Sequence, residues 1–319
     1  MAAASGEMNS GRPRVLVISG PTASGKTALA VELALRLGGE IVNADSMQVY
    51  RGMNIGTAKP TEEEKKGVPH HLLDVADPDE LFNAARYRSL AMEAIHGVHR
   101  KGAVCLVVGG TGLYIRALLG GLFDCPEAPA GLREALAEEW EKQGPEAMHQ
   151  RLSAEDPAAG RAIHPNDRVR VLRALEVIRL TGKPFSSAAR DHAFRERPFE
   201  ALKICLSMER DRLYDRINAR GRRMLESGLV EETRALLDQG YGPELKPMRS
   251  LGYRHATAFL QGDWDWETTL EKLRIDTRRY AKRQLTWFRG EPDYVWRTPG
   301  DLERVHKMAA DFLHPDRDP

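Results

Sequence analysis

Three short apolar runs in the first third of the chain are separated by segments with helical spacing. The runs RVLVISG (14–20), EIVNADS (40–46) and AVCLVVGG (103–110) have the β-branched character of buried parallel strands. The segments 26–38 and 82–102 repeat apolar residues at the spacing of one helix face. Strand–helix–strand alternation predicts a parallel sheet with right-handed crossovers.

The pattern becomes helical after about residue 120. Amphipathic segments punctuated by Gly and Pro occupy 131–144, 145–157 and 166–182. ALKICLSM (201–208) returns to a strand pattern, and long helix-like segments follow it. We therefore predict a disordered tail over 1–12, a core over 13–120 and 201–319 with C-terminal helices, and a helical insertion domain over 121–200.

The loop after the first predicted strand has the composition of a phosphate-binding loop. GPTASGKT fits G-x-x-x-x-G-K-[ST], and it lies between a strand and a helix as that motif requires. The glycines allow a nest of backbone N–H groups, the lysine supplies a charge, and the threonine hydroxyl suits Mg²⁺. The predicted phosphate-binding residues are Gly20, Pro21, Thr22, Ala23, Ser24, Gly25, Lys26 and Thr27, with Thr27 as the metal ligand. The predicted fold class is therefore α/β: a P-loop parallel-sheet core with an inserted helical domain.

Two strand ends refine the chemistry. The third apolar run ends in Gly109-Gly110-Thr111-Gly112, without the acid that supports Mg²⁺ in many P-loop NTPases. This disfavours an ATP-hydrolysing motor or switch and leaves a small-molecule kinase possible. Asp45 directly follows the second run, and ligands of open parallel sheets lie beyond the carboxyl ends of strands. We expect Asp45, Lys26 and Thr111 to converge, with Asp45 supporting a metal, orienting a hydroxyl or removing a proton.

Charge is nearly balanced overall but unevenly distributed. The 319 residues carry a net charge of +1, so total charge does not argue for nucleic acid. Residues 161–229 contain sixteen Lys/Arg against nine Asp/Glu, and 272–289 contain seven basic residues against one acid. These segments are either solvated helix faces or a footprint for a large polyanion.

Apolar runs, the N-terminal sequence and the cysteines indicate where in the cell the protein is expected. No apolar run approaches the ~20 residues that span a bilayer, and the N-terminal sequence has no secretory core. Cys105, Cys125 and Cys205 form neither a disulfide framework nor a zinc spacing. We expect a cytoplasmic protein without a membrane partner. The aromatic residues Tyr253, Tyr280, Trp287 and Phe288 have the helical spacing of core positions, and adjacent His70 and His71 are poorly placed to bind one metal.

Together, several long motifs resemble those of bacterial tRNA dimethylallyltransferases, also called tRNA isopentenyltransferases. Besides the P-loop, they are NADSMQVYRGMNIGTAKP (43–60), VPHHLLD (68–74), VVGGTGLY (107–114), IHPNDRVRVLRALEV (163–177), GYR (252–254) and AKRQLTWFR (281–289). The resemblance covers about residues 14 to 290. The bacterial type is favoured because no Cys/His zinc module follows these motifs.

The resemblance implies transfer of a dimethylallyl group from dimethylallyl diphosphate to N6 of adenosine 37, in tRNAs that read codons starting with U. The P-loop would then hold a diphosphate leaving group with Mg²⁺. Asp45 resembles the family's general base, Arg220 its diphosphate-contacting arginine, and Thr111 the threonine near the target amine. The family's tRNA-facing positions correspond to Asp45, Ser46, Met47, Gln48, Thr111, Arg133, Arg170 and Arg173. The expected partners are dimethylallyl diphosphate and the tRNA anticodon stem-loop, bound by a monomer.

Three alternatives remain open from sequence. An adenylate isopentenyltransferase would share the P-loop and the aspartate but would prenylate a free nucleotide. A small-molecule kinase would consume ATP at the same loop. A nucleotide-sensing module would bind without catalysis. The helical insertion and the basic segment 161–229 favour tRNA over a free nucleotide as the acceptor.

Overall fold

The computed structural model describes residues 11–315 except 124, 127, 130 and 188–193. Residues 1–10 of the predicted tail therefore lie outside the described part of the chain. One compact unit comprises the chain up to Leu119 and the chain from Arg197 onward, and the other comprises Gly120–Glu196. Within the described residues, no helix combines the length and apolarity that a membrane span requires.

The first unit is built on a six-stranded sheet. Its strands are β1 (Arg14–Ser19), β2 (Gly39–Asn43), β3 (His70–His71), β4 (Val104–Gly109), β5 (Glu200–Leu206) and β6 (Tyr294–Arg297). They pair in the order β3-β2-β4-β1-β5-β6, and every pairing is parallel. The α/β parallel-sheet prediction is confirmed. The edge strands β3 and β6 were not predicted, because two and four residues are too few to show a periodic pattern.

The sheet is apolar on both faces, which explains why its strands read as unbroken apolar runs. Val15 and Val17 belong to one hydrophobic cluster, whereas Leu16 and Ile18 belong to another. Since successive strand residues point to opposite faces, the two clusters lie on opposite sides of the sheet. Each is covered by helices.

The helices of the two units are numbered in chain order. They are α1 (Lys26–Leu37), α2 (Glu62–Lys65), α3 (Ala84–Arg100), α4 (Gly112–Gly120), α5 (Leu132–Glu155), α6 (Pro157–Ala162), α7 (Arg168–Thr181), α8 (Arg210–Glu226), α9 (Leu229–Asp238), α10 (Tyr253–Leu260), α11 (Trp266–Arg289) and α12 (Leu302–Leu313). Helix α1 begins at Lys26, within the GPTASGKT motif, and ends at Leu37; Gly38, which has a φ of 63°, caps it in the left-handed region.

The second unit has a hydrophobic core of its own. Leu136, Trp140 and Met148 of α5 pack with Val171 and Leu175 of α7. Helix α5 is broken at Gly144, whose φ of 82° and ψ of 168° are not helical, immediately before Pro145. The two helices expected over 131–157 therefore meet at the Gly-Pro step that separates them in sequence. That this unit faces tRNA remains a prediction.

Candidate active site

Three strand ends meet at one edge of the sheet. The phosphate loop follows β1, Asp45 follows β2, and Gly110 follows β4. Because β4 lies between β2 and β1, the ends of β1 and β2 are two strand spacings apart, about 10 Å. A cavity of about 380 Å³ opens at this edge and is lined by Lys26, Thr27 and Asp45. This volume is within the range of small-molecule sites.

The phosphate loop turns its polar side chains toward this cavity. Thr22, Lys26 and Thr27 line it, while Gly20, Pro21, Ala23, Ser24 and Gly25 form the turn that carries them. Gly20 has a φ of 139°, and a Cβ there would lie 2.6 Å from the carbonyl oxygen of Leu206. Only glycine therefore allows the loop to pass this close to β5.

Two cationic side chains that line the cavity, Lys26 and Arg220, are partly removed from water, which disfavours their charged forms. Burial lowers the pKa of Lys26 to about 8, opposed by the charge of Asp45 and assisted by that of Arg220. Its Nζ donates to the carbonyl oxygen of Pro21 at 2.7 Å. Burial also lowers the pKa of Arg220, whose Nη1 donates to Thr22 Oγ1 at 3.3 Å. Both groups would recover solvation energy from an anionic ligand.

Asp45 sits on a tight turn that is defined by hydrogen bonds between side chains and the backbone. Its Oδ1 accepts from the N–H of Met47 at 2.9 Å, and its own N–H donates to Asn43 Oδ1 at 3.1 Å. Asn43 Nδ2 donates to the carbonyl oxygens of Asp45 and Leu72. The aspartate is half-buried and lines the cavity, and the bond from the Met47 N–H to its Oδ1 fixes its side chain.

Thr111 has a different position from that of Asp45 and Lys26. Its Oγ1 accepts from the N–H of Ser46 at 2.9 Å, and its N–H donates to the carbonyl oxygen of Ala44 at 3.1 Å. Residues 45–48 line the cavity, whereas Thr111 is not among the described residues that do. The structure thus places Thr111 behind the Asp45 turn, and its contact with the target amine remains a prediction.

A second wall of the cavity is assembled from the segments 54–60 and 249–254. Glu232 of α9 accepts from the backbone N–H groups of Asn54, Ile55 and Gly56 at 2.9 to 3.1 Å. Tyr253 donates its hydroxyl to the same carboxylate at 2.5 Å. One carboxylate therefore holds both segments together.

Several lining residues were not singled out from sequence. They are contributed mainly by α8, by residues 249–254 at the start of α10, and by α11, and they include Arg249, Arg254, Tyr280, Arg283 and Gln284. The motifs GYR and AKRQLTWFR contain three of them, but nothing in their spacing indicated a cavity. Tyr280, expected in the core, lines the cavity, and burial raises the pKa of its hydroxyl, with the nearby Asp45 adding to the effect. Tyr253 and Phe288 are buried core residues as expected.

The lining chemistry is strongly cationic and partly apolar. Lys26 and four arginines line the cavity against one carboxylate, that of Asp45. Such an excess favours a ligand with several negative charges. The apolar lining residues include Ile41, Met47, Leu73, Val108, Ile217, Met224, Leu251 and Leu273. A ligand that combines a polyanionic group with a short hydrocarbon would satisfy both sets.

The predicted tRNA-contacting arginines beyond residue 120 lie in the second unit. Arg133 and Arg173 both pair with the nearly buried carboxylate of Glu176, each at 2.9 Å. Arg170 pairs with Asp167 at 3.4 Å, and its side chain is 64% exposed. A shared carboxylate holds the first two guanidinium groups side by side, whereas Arg170 is the most accessible of the three.

The pKa of Lys26 predicts how phosphate binding depends on pH. Only the protonated amine attracts a phosphate, and the pKa of about 8 lies well below the ordinary lysine value of 10.5. Raising the pH from about 7 to about 9 should therefore deprotonate the free protein's Lys26 and weaken pyrophosphate binding, by up to about tenfold for each pH unit above the pKa.

Calorimetric titration of pyrophosphate across this pH range would measure the effect. In Lys26→Arg the side chain at position 26 stays charged over this pH range. The part of the pH dependence of pyrophosphate binding that comes from titration of the protein should therefore flatten. An unchanged slope in Lys26→Arg would mean that another group titrates.

Comparison with known proteins places the chain in a family. A family model described as IPP transferase matches residues 48–291. The chain is 53% identical over 302 residues to tRNA dimethylallyltransferase 1 of Pelobacter propionicus, covering 95% of this chain and 96% of that protein. It is 52% identical over 303 residues to the tRNA dimethylallyltransferase of Desulfosudis oleivorans, with the same coverage of 95% and 96%.

Solved structures agree with these relatives. The tRNA isopentenylpyrophosphate transferase of Bacillus halodurans superposes with a TM-score of 0.70 at 41% identity, covering 96% of this chain and 98% of that one. A eukaryotic dimethylallyltransferase acting on tRNA superposes with a TM-score of 0.82 at 29% identity, covering 96% and 80%. The resemblance found in the sequence motifs is thereby confirmed, and the chain belongs to the IPP transferase family, together with these tRNA dimethylallyltransferases.

Proposed function

We propose that the protein transfers a dimethylallyl group from dimethylallyl diphosphate to N6 of adenosine 37 of tRNAs that read codons starting with U. It would do so as a cytoplasmic monomer. The product would be N6-dimethylallyl adenosine, with diphosphate released. The observation that carries this proposal is one cavity lined by a phosphate loop, an excess of cationic over acidic side chains, an apolar wall and the single carboxylate of Asp45.

The cationic side of the cavity suits the leaving group. Breaking the C1–O bond of an allylic diphosphate leaves the bond's electron pair on the diphosphate oxygen. Lys26, Arg220 and the N–H groups of the phosphate loop would stabilise that developing charge. Because burial already disfavours both cations, they gain more from an anion here than they would in water.

The carboxylate side suits the nucleophile. An adenine N6 amine is a weak nucleophile, since its lone pair is delocalised into the ring. As N6 attacks C1 and the new N–C bond forms, Asp45 would accept the proton that the amine loses. The prenylated amine is then left neutral. The Asn43 and Met47 hydrogen bonds fix the turn that carries this carboxylate.

The oxygen donors of the cavity fit a magnesium ion. Mg²⁺ prefers hard oxygen ligands and usually keeps water and substrate phosphates in its shell. Thr27 lines the cavity and offers a hydroxyl oxygen of the kind that Mg²⁺ prefers. Thr27 would hold the ion, and the positive charge that the ion supplies when bound would neutralise part of the charge on the leaving group.

Transfer to tRNA in place of AMP is the outcome that would establish this function. The protein would be incubated with dimethylallyl diphosphate, Mg²⁺ and an anticodon stem-loop, and the RNA mass would be measured. A gain of one dimethylallyl group that disappears when adenosine 37 is replaced supports the proposal. Prenylation of AMP instead of RNA would identify an adenylate isopentenyltransferase. Formation of ADP from ATP without prenyl incorporation would identify a kinase.

Base access requires tRNA contacts beyond the cavity. A stacked base must be swung out of its loop at a cost of a few kcal/mol, which phosphate contacts elsewhere can offset. We propose that Arg133, Arg170 and Arg173 of the second unit provide such contacts, and that Asp45, Ser46, Met47, Gln48 and Thr111 face the target nucleotide. Family resemblance supports these assignments, as does the exposure of Arg170.

Charge reversal in the second unit should weaken tRNA binding without affecting the phosphate site. In Arg170→Glu the tRNA KM should rise, and the slope of log KM against log salt should flatten by about one unit for each lost phosphate contact. Arg173→Glu should also place its new carboxylate beside Glu176.

Steady-state kinetics at several salt concentrations would measure the tRNA KM and the slope of log KM against log salt for each variant. Arg36→Glu, which alters an exposed ion pair with Glu303 in the first unit, serves as the control. Equal salt slopes for wild type and Arg170→Glu would exclude a phosphate contact at Arg170.

A further inference from the structure

Gln284 of α11 joins the phosphate loop to the end of strand β4. Its Oε1 accepts from the N–H of Thr22 at 2.8 Å, and its Nε2 donates to the carbonyl oxygen of Gly110 at 3.0 Å. Each end of the carboxamide thus meets the partner its chemistry requires. The residue is 6% exposed, so these bonds are shielded from competition by bulk water.

The space around this carboxamide is closely fitted. A Cβ on Gly110 would lie 2.2 Å from Gln284 Nε2 and 3.3 Å from the carbonyl oxygen of Gly20. A glycine at 110 is therefore needed for the glutamine to reach the strand end. Because both partners are backbone atoms, the amide holds the relative position of two main-chain segments rather than that of two side chains.

The first of those segments carries Thr22, which is one of the residues predicted to bind diphosphate. Thr22 lines the cavity, and its Oγ1 accepts a hydrogen bond from Arg220 at 3.3 Å. A continuous path of hydrogen bonds therefore runs from Gly110 through Gln284 and Thr22 to the Arg220 guanidinium. Gln284 also satisfies one N–H of the loop, so that donor is bonded to protein in this structure.

We propose that Gln284 is a positioning residue for diphosphate binding, acting through the Thr22 backbone and Arg220. This inference rests on the proposed function, because it assigns the cavity's anionic ligand to a diphosphate. Without the carboxamide, the Thr22 N–H and the Gly110 carbonyl lose their buried partners, and the Thr22 segment loses its hydrogen-bonded link through Gln284 to the end of β4. Misplacement of a binding group by a fraction of an ångström is costly for a preorganised charged site.

Substitution of Gln284 by methionine tests the inference, because methionine has a similar length but no amide. In Gln284→Met the Kd for inorganic pyrophosphate with Mg²⁺ and the KM for dimethylallyl diphosphate should both rise about tenfold, whereas the Kd for the anticodon stem-loop should stay within about twofold. Gln239→Met, the same change at an exposed glutamine after α9, should alter none of these values. Unfolding temperatures would verify that each variant folds.

A double-mutant cycle tests the route of the effect. Thr22→Val keeps the backbone N–H but removes the Oγ1 that accepts from Arg220. If Gln284 acts through Thr22, the double variant should weaken pyrophosphate binding by clearly less than the product of the two single effects. Independent effects that multiply would contradict this route.

The outcomes separate this inference from the function on which it rests. If the wild-type protein does not bind pyrophosphate, the diphosphate assignment fails and the inference fails with it. If wild type binds pyrophosphate and Gln284→Met binds it equally well, the inference alone is overturned. Should Gln284→Met not fold, Gln284→Asn, which is too short to reach both partners, replaces it. Parallel loss of pyrophosphate and stem-loop affinity in the variant would indicate a merely structural role and would also overturn the inference.

Discussion

Replacing Asp45 by asparagine should lower kcat for prenyl transfer by about a thousandfold, which is within the usual contribution of a general base. Asparagine retains an oxygen that can accept from the Met47 N–H, so the turn at 43–47 should survive. It cannot accept the proton that N6 releases. Single-turnover measurements with saturating stem-loop and dimethylallyl diphosphate would report the chemical step directly.

The phosphate side of the site should be spared in this variant. The pyrophosphate Kd of Asp45→Asn should stay within about threefold of wild type, because the P-loop and Arg220 are unchanged. Asp263→Asn, an exposed aspartate before α11, is the matched control and should behave as wild type. A normal transfer rate in Asp45→Asn would eliminate Asp45 as the base.

Replacing Lys26 by alanine should raise the pyrophosphate Kd and the KM for dimethylallyl diphosphate by about a hundredfold, since one buried charge-assisted contact is lost. The binding loss should not come from unfolding. The lysine's pKa is lowered mainly by burial, so its charge destabilises the empty site, and the variant's unfolding temperature should equal or exceed that of wild type.

Calorimetry with pyrophosphate and a thermal melt of the same samples would separate the two effects. Lys66→Ala removes an exposed lysine that pairs with Glu32 on the surface, and it should leave both measurements unchanged. Pyrophosphate binding by Lys26→Ala at wild-type affinity would show that the loop does not hold the diphosphate.

Local patterns predicted the segments that are contiguous in sequence. β1, β2 and β4 were each visible as short apolar runs, because both faces of the sheet are covered and most of their residues are apolar. The break of α5 was visible in the same way, as Gly144-Pro145. The edge strands β3 and β6 were not, because their pairing depends on a neighbouring strand and not on their own composition.

The cavity required more than these patterns. Resemblance identified Arg220 among the arginines of α8, and the structure gives a physical reason, since Arg220 bonds Thr22 and lines the cavity. Arg249, Arg254 and Arg283 were not identified, because an exposed arginine and a cavity-lining arginine look alike in one sequence. Thr111 illustrates the converse: its position after β4 was foreseen, but its hydroxyl supports the backbone at Ser46.

The sequence by itself determined the phosphate loop, the aspartate after the second strand and the alternation that makes a parallel sheet. Each depends on backbone geometry within a few residues, so neighbouring letters suffice to specify it. Only the tertiary structure decided what closes the site. The carboxamide that holds Thr22 comes from a residue 262 positions further along the chain. Contacts at that separation arise from how helices pack on the sheet, and packing depends on shape and volume that no local pattern records.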